Sequence, residues 1–422
     1  PKRDWSSDVC SSDLLDKIKE VLGNIDLASP KQLQKRLFGE LGYDTKYSRQ
    51  SEKTGQWSTD DAVLSAMAGK YPVCAYISIY RTCEKMISTY LKPLTEQCAA
   101  NFDGRVRGSY WLASQTGRIR CSDTNLQNVP VYYNMPEGMK DVNIREGFVA
   151  EDGYKYIVVD FSQIELRLCA QISRDPVFLS SFIDWKCTSC NKSGKSNKIL
   201  HKCPNCGIIE NEDAMKGKVA GFWHGLDLHQ ITTDSIPALE GQRKYGKEAN
   251  FALIYLATSY TMNSHFPMFS VDKWEKIIEQ YFNKYRGVRT WHSKLEKQMC
   301  NTGVISDLFG RKRRIAKHEL RKGKSMYKHC LNQFVNFPVQ ASAVGLSLIC
   351  MSRCRDFFRA NGKWNKEVKL VNMVHDELVF EVRSDIINEV EEQIKNIMEN
   401  SIQFDVPIRV DSKIVERWGL AK

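Results

Sequence analysis

No stretch of this sequence approaches the roughly 20 consecutive apolar residues that a membrane-spanning helix needs. Its N-terminus carries no apolar core of the secretory kind either. These absences set aside an embedded or exported protein and make the cytoplasm the expected compartment. No internal repeat is present. A disulfide framework is missing as well. There are 14 cysteines, but four sit in metal-ligand spacing and the rest are scattered, the pattern of reduced thiols plus one metal site. Acidic charge is in deficit: Lys and Arg total 61 against 50 Asp and Glu, a net charge of +11. An excess of this size suits a polyanionic partner, because each cation beside a phosphate releases condensed counterions. Many basic proteins bind no such partner, so the charge alone decides little.

What is present is a chain of 422 residues, 42% hydrophobic and 10% aromatic. That composition fits a folded protein with room for two or three domains. Pro1 to Leu14 is polar, Ser/Asp-rich and aperiodic, a leader of non-native appearance that is set apart from the fold. Leu15 to Tyr110 reads as helical, with Leu33, Leu37 and Leu41, then Ile77, Tyr80 and Met86, at helical spacing. Ser29-Pro30 suits a cap and first turn, and Ser58 or Thr59 suits another cap. Strands and loops follow. Tyr156 to Asp160 is a short buried strand ending on an acid, with a helix from about Ser162. Helices dominate again from Leu226 to about Met351, broken by a hairpin-like LFGRKRR stretch. Lys369 to His375 and Leu378 to Val382 read as strands joined by a tight turn holding Asp376 and Glu377. A helix from Ile386 to Asn400 and a strand from Pro407 to Asp411 come last.

Asp160 and Asp376 thus sit at strand ends. Carboxylates so placed can converge on two metal ions about 3.5–4 Å apart, which clamp the attacking and leaving oxygens of a phosphoryl transfer. Taken alone, a strand-end aspartate is more often a cap or turn residue. Arg243, Lys247, Phe251 and Tyr255 recur every four residues. In a helix that spacing gives one slowly rotating stripe along about three turns. From spacing alone, an amphipathic helix with a basic edge is the simpler reading.

Context changes the weighting. VVDFSQIELRLCAQIS, RKYGKEANFALIY and NMVHDELVFEV resemble the characteristic palm and fingers motifs of family A DNA polymerases, the bacterial DNA polymerase I group and its phage relatives. TGRIRCSDTNLQNVP and NFPVQASA resemble two further segments, and all occur in the family's order. The likeness continues from LASPKQLQKRLFGELGY to VPIRVDSKIVERWG and covers nearly everything from Leu15 to Lys422. It implies an α+β right-hand fold: a thumb over 15–110, a palm with an antiparallel sheet over 111–183 and 335–422, and helical fingers over 184–334. It also implies template-directed addition of deoxynucleotides to a primer 3′-hydroxyl, with primer–template DNA and deoxynucleoside triphosphates as partners. A processivity or replisome partner, and a phage source with host cytoplasm as the compartment, are not readable. The family places an exonuclease N-terminal to these segments. The unusual leader, with a first palm strand and thumb stem that look incomplete, suggests a truncated reading frame.

The resemblance also implies roles, residue by residue. Asp160 and Asp376 would hold two Mg²⁺ ions with the Phe161 carbonyl, as hard oxygen donors. Glu377 is expected beside them, either touching metal or as a structural carboxylate. Arg243 and Lys247 would grip the triphosphate, Phe251 would lie against the sugar, and Tyr255 would guard the templating base. Gln163 would join the nucleotide site, and His229, in an Asp-x-His segment, would contact a triphosphate oxygen, against the alternative of a buried histidine on a capped helix. Glu165 would fill the space of a ribose 2′-hydroxyl, against the alternative of a lone surface glutamate. Phe251 would discriminate against nucleotides lacking a 3′-hydroxyl. Arg118, Asn125, Gln127, Asn336, Gln340 and His375 would face the primer–template, where minor-groove acceptors common to all base pairs report pair shape. Ala252 and Leu256 stand where the family usually has glycine. Replacing Gly raises helix propensity by roughly 0.5–1 kcal/mol for Ala, so a stiffer helix and an altered swing of Tyr255 are expected. An RNA-synthesising relative, or a scaffold whose closure Leu256 blocks, remain as alternatives.

Residues 185–224 form a Lys-rich insertion. Cys187, Cys190, Cys203 and Cys206 make two Cys-x-x-Cys knuckles twelve residues apart, the spacing of one structural tetrahedral zinc. So polar a loop has too little apolar surface to fold alone. Lys186, Lys192, Lys195, Lys198 and Lys202 suit contact with template or displaced strand; a zinc-stapled surface loop or a protein-docking module is the competing reading.

Overall fold

The computed structural model of the chain describes residues 11–51, 54–112, 118–131, 143–215 and 218–421. Contacts divide it into two units, 1–109 with 123–148, and 110–122 with 149–421.

The first unit is helical. Its main helices are α1 (Ser11–Leu22), α2 (Asp61–Ala68), α3 (Pro72–Met86) and α4 (Lys92–Ala100). α1 begins inside the expected leader, of which residues 1–10 lie outside the described part. Leu22, Leu33, Leu37, Leu64, Met67 and Ile77 share one core. Ser29 caps as its sequence suggests, its hydroxyl accepting the Gln32 N–H. The second cap falls on Asp60 rather than Ser58 or Thr59. Its carboxylate takes the Val63 N–H at 3.0 Å, and Ser58 donates to it at 2.8 Å. An ionised carboxylate gains from the positive helix end, which a hydroxyl does not. Residues 123–131 and 143–148, expected within the palm, pack with this unit.

The second unit is built on a four-stranded antiparallel sheet of β1 (Tyr154–Phe161), β7 (Val368–Val374), β8 (Glu377–Arg383) and β9 (Val410–Val415). Its order is β9-β1-β8-β7. Ile157, Val158 and Val159 are buried in succession because β1 is central and covered on both faces. β9 starts later than expected. Pro407 has no N–H for the ladder, and pairing begins at Val410 opposite Phe161.

Helices α5 (Ile164–Ser173) and α6 (Pro176–Ile183) follow β1. A small antiparallel sheet comes next, made of β2 (Asp184–Cys187), β3 (Lys192–Lys195) and β4 (Phe222–His224), with β2 central. Then come α7 (Leu228–Ser235), α8 (Arg243–Leu253), α9 (Val271–Lys284) and α10 (Arg286–Thr302). The LFGRKRR stretch does form a hairpin, between β5 (Val304–Ser306) and β6 (Lys312–Arg314). α11 (Lys324–Ala360) precedes β7, and α12 (Ile387–Asn400) lies between β8 and β9.

α11 qualifies the opening observation on apolar runs. An 18-residue window of it is long and apolar enough to cross a membrane, but 78% of that window is buried in the protein. Phe334, Val339, Leu346 and Cys350 are fully enclosed there, each such apolar side chain contributing about 1.5–3 kcal/mol. One hydrophobic core joins these residues to Val159 and Phe380 of the sheet and to Leu253, Trp274 and Tyr281 of α8 and α9. For that reason contacts do not separate expected palm from expected fingers.

Candidate active site and cysteine cluster

Strand register brings the two acids together. Glu377 lies opposite Asp160, and the Phe161 N–H donates to the Asp376 carbonyl at 3.4 Å. Asp376 sits in the two-residue turn between β7 and β8, where His375 is held at φ 59. A cavity of about 370 Å³ opens here, lined by Asp160, Phe161, Gln163, Ile164, Glu165, His229, Arg243, Lys247, Phe251 and Asp376. Residues from three distant segments therefore line one cavity. A larger groove, about 730 Å³, lies between the insertion and α12 and has none of this chemistry.

α8 supplies the basic side. Arg243 and Lys247 are exposed and Phe251 is half-buried, whereas Gly246, Ala249, Asn250 and Leu253 are buried on the other face. A side chain at Gly246 would collide with the Thr233 hydroxyl and the His229 carbonyl, so only glycine lets α8 approach α7 this closely. Arg243 is oriented by Asp227, Nε to carboxylate at 2.6 Å. Burial raises the Asp227 pKa, but Arg243 and the Gln230 amide outweigh it and hold the carboxyl below its ordinary value. Asp227 also caps α7 through the His229 and Gln230 N–H groups.

His229 is 3% exposed. Burial, only partly opposed by Asp227, pushes its pKa down to about 4, so it is neutral at pH 7. Its Nδ1 lies 3.0 Å from the Asn250 amide nitrogen. The Leu228 carbonyl on the same nitrogen, and the Thr232 hydroxyl on Asn250 Oδ1, fix which end of that amide is which. Nδ1 therefore accepts, and the ring proton rests on Nε2 as a donor.

Tyr255 departs from the sequence reading. α8 ends at Leu253; Tyr255 and Leu256 follow in a turn, their N–H groups donating to Ala252 and Leu253 carbonyls at 3.2 Å. Leu256 has φ 61, a left-handed conformation that disfavours a β-carbon. A longer, stiffer helix at this position is thus corrected to a strained turn; only Ala252 lies in the helix. Tyr255 Oη donates to Glu165 at 2.6 Å, and Arg118 donates to the same carboxylate at 2.7 Å. Burial, then Glu165, hold the Tyr255 phenol well above its ordinary pKa, so it stays a donor. Glu165 is not a lone surface glutamate.

Gln163 lines the cavity as the left-handed residue before α5, and its side-chain oxygen is buried with no hydrogen-bond partner among the described residues. Glu377 is 1% exposed, does not line the cavity, and accepts the Trp418 indole N–H at 3.0 Å. That geometry favours the structural alternative for Glu377. Asn336 and Gln340 lie one turn apart on α11, on one face; the Asn336 side-chain oxygen is buried without a partner among the described residues. Asn125 and Gln127 belong to the first unit, where Asn125 caps the turn containing Gln127. His375 is exposed. Asp227, Asn250, Gly246 and Trp418 were not singled out from sequence; the Asp227 cap ahead of His229 was the one local signal available.

In the insertion, the sulfurs of Cys187, Cys190, Cys203 and Cys206 all lie within 4.8 Å of one another. Cys187–Cys206 and Cys190–Cys203 are each 3.7 Å apart. Four thiolates about 2.3 Å from one tetrahedral ion would be about 3.8 Å apart, so the donor set fits zinc. Two carboxylates beside a backbone carbonyl likewise fit Mg²⁺ at the other site.

The sequence motif of DNA polymerase family A matches residues 7–420. The chain belongs to DNA polymerase family A. It is 32% identical over 400 residues to the thermostable DNA polymerase I of Thermus filiformis, and 29% identical over 398 residues to DNA polymerase I of Pseudomonas aeruginosa. Each alignment covers 94% of this chain, but only 42% and 38% of those relatives. The chain thus spans about two fifths of the length of the curated relatives it matches. The fold resembles the POL domain of Pol1 from M. smegmatis, solved with DNA primer-template and dNTP, with a TM-score of 0.75 at 24% identity, covering 97% of this chain and 64% of that one. The α+β polymerase fold expected of the family is the fold observed.

Proposed function

We propose that this chain catalyses template-directed addition of deoxynucleotides to a primer 3′-hydroxyl, releasing pyrophosphate. The observation that carries the reading is the shared cavity, lined by Asp160 and Asp376 together with Arg243, Lys247 and Phe251. Asp160, Asp376 and the Phe161 carbonyl would hold two Mg²⁺ ions, which supply charge stabilisation for the attacking and leaving oxygens. Arg243, held in place by Asp227, and Lys247 bind the triphosphate. Neutral His229 donates Nε2–H to a phosphate oxygen. Phe251 lies against the sugar and Glu165 excludes a 2′-hydroxyl, its carboxylate fixed by Tyr255 and Arg118. Gln163 offers its unpaired amide oxygen to the bound nucleotide. Catalysis then rests on alignment and preorganised charge.

In this reading residues 15–110 are the thumb, 184–334 the fingers, and 111–183 with 335–422 the palm, except that 123–131 and 143–148 pack with the helical first unit. Asn125, Gln127, Asn336, Gln340 and His375 contact primer–template. Cys187, Cys190, Cys203 and Cys206 hold one structural zinc. The test is Mg²⁺-dependent extension of a primed template: Asp376→Asn is expected to abolish it while leaving the melting temperature near wild type. Extension that survives this change refutes the assignment. Ribonucleotides outpacing deoxynucleotides in the same assay would favour an RNA-synthesising enzyme.

A further inference from the structure

The insertion is anchored beside the strand that carries Asp160, at the start of its neighbour β9. Glu210, between the second cysteine pair and β4, receives the Arg409 guanidinium on both carboxylate oxygens at 2.8 Å and also accepts the His224 N–H at 2.9 Å. The pair is half-buried on the Arg409 side and more so at Glu210. His201, two residues before Cys203, lies 3.4 Å from the carboxylate of Glu399 at the end of α12. The other oxygen of Glu399 accepts the Val410 N–H at 3.2 Å. Both struts from the insertion therefore end on Arg409 and Val410, at the start of β9.

Those two residues flank the metal-binding segment. Val410 is the ladder partner of Phe161, Asp411 of Asp160, and the Arg409 carbonyl accepts the Ser162 N–H at 2.9 Å. From the other side Arg167, 6% exposed, donates Nε to the Ser162 carbonyl at 2.8 Å and Nη1 to the Pro407 carbonyl at 2.7 Å. Burial and the charge of Arg409 both lower the Arg167 pKa; Asp411, Glu399 and Glu210 counter them. Ser162 is thus held at both backbone groups, its N–H by the Arg409 carbonyl and its carbonyl by the Arg167 guanidinium, and the insertion contributes Glu210 as the counter-charge of Arg409. The exposed lysines do not enter this contact.

We propose that the zinc-binding insertion is a brace for the catalytic strand, with Glu210 a positioning residue that holds Asp160 and Phe161 in metal-binding geometry through Arg409, Ser162 and the start of β9. The proposal rests on the reading of Asp160 as a metal ligand and of the four cysteines as a zinc site. Stapling the cysteines fixes the loop from Cys203 to β4, so Glu210 reaches Arg409 without the entropy cost of an unanchored loop.

The test uses the full zinc-loaded chain with Glu210→Ala, Glu210→Gln, and the exchanged pair Glu210→Arg with Arg409→Glu. Hydrogen exchange at residues 160–163, measured without DNA or nucleotide, is expected to quicken by about tenfold or more in Glu210→Ala, the size of a lost charge-assisted pair. Glu210→Gln, which keeps the His224 contact, should fall between, and the exchanged pair should recover protection. Stripping zinc with a chelator should produce the same local loss. In primer extension the Mg²⁺ concentration giving half-maximal rate should rise severalfold in Glu210→Ala, with the nucleotide KM at saturating Mg²⁺ little changed. A folded, zinc-bound Glu210→Gln whose exchange at 160–163 and Mg²⁺ midpoint both equal wild type would overturn the brace. A wild-type chain that extends no primer would sink the polymerase reading instead, and the exchange measurement would still decide this one.

Discussion

Glu165 carries two hydrogen bonds that hold it in place, from Tyr255 and Arg118. A carboxylate fixed in this way excludes a hydroxyl sterically better than one free to rotate. Glu165→Ala is therefore expected to raise ribonucleotide incorporation relative to deoxynucleotide. The gain is on the order of 10–200-fold, the discrimination one misplaced group in a pocket normally provides. Competition between the two nucleotide types in single-nucleotide extension measures it. Leu256 poses a different question. Its left-handed backbone costs roughly 1–2 kcal/mol, yet the side chain packs against the core. Leu256→Gly removes the strain and the packing together, so the two terms offset to within about 1 kcal/mol. Thermal unfolding should barely move, while the single-turnover rate of nucleotide addition changes because Tyr255 is released; an unchanged rate would show that Leu256 does not govern that tyrosine.

At the scale of elements, the contact between α7 and α8 sets the side of the cavity proposed to take the triphosphate. Gly246→Ala would force these helices apart at the His229 carbonyl, with a loss of about 1–3 kcal/mol from overpacking. A raised nucleotide KM with a lower melting temperature is the expected result; a normal KM would mean that α7 does not position His229. These elements were legible in sequence where the signal is local. The strands ending on Asp160 and preceding Asp376, the basic stripe of α8 and the two cysteine knuckles each occupy a few consecutive turns or residues. What was not legible pairs distant segments. Tyr255 and Glu165 are 90 residues apart, Trp418 and Glu377 are 41 apart, and Arg409 and Glu210 are 199 apart. No periodicity records such contacts. The four-residue stripe also misled at its end, because spacing carries no information about where the backbone leaves the helical region after Leu253.

For the whole molecule, buried histidines tie stability to pH. His229 and His292 are each pushed by burial down to about 4 from an ordinary 6.5, His292 with Nε2 3.0 Å from the Ile254 carbonyl. Between those values the unfolded chain binds protons that the folded chain refuses. Their contribution is thus fully present above about pH 6.5 and is lost as pH falls through the window toward 4. Urea midpoints should drop from pH 7 to pH 5, and the dependence should flatten in a His229→Gln, His292→Gln double variant. An equally steep fall in that variant would assign the effect to His224, which burial also pushes down to about 4, or to carboxylates.

The order of the sheet has a consequence for synthesis on the ribosome. β1 is made before its outer neighbour β9, which lies about 250 residues later in the chain. Until Val415 has emerged, the strand ending on Asp160 keeps one unpaired edge, and an uncovered edge is prone to pair with the wrong partner. A chain released before that point lacks the ladder beside Phe161. Synthesis must therefore pass Val415 before the sheet that carries Asp160 is complete, which places the closing of this ladder among the late events of folding on the ribosome.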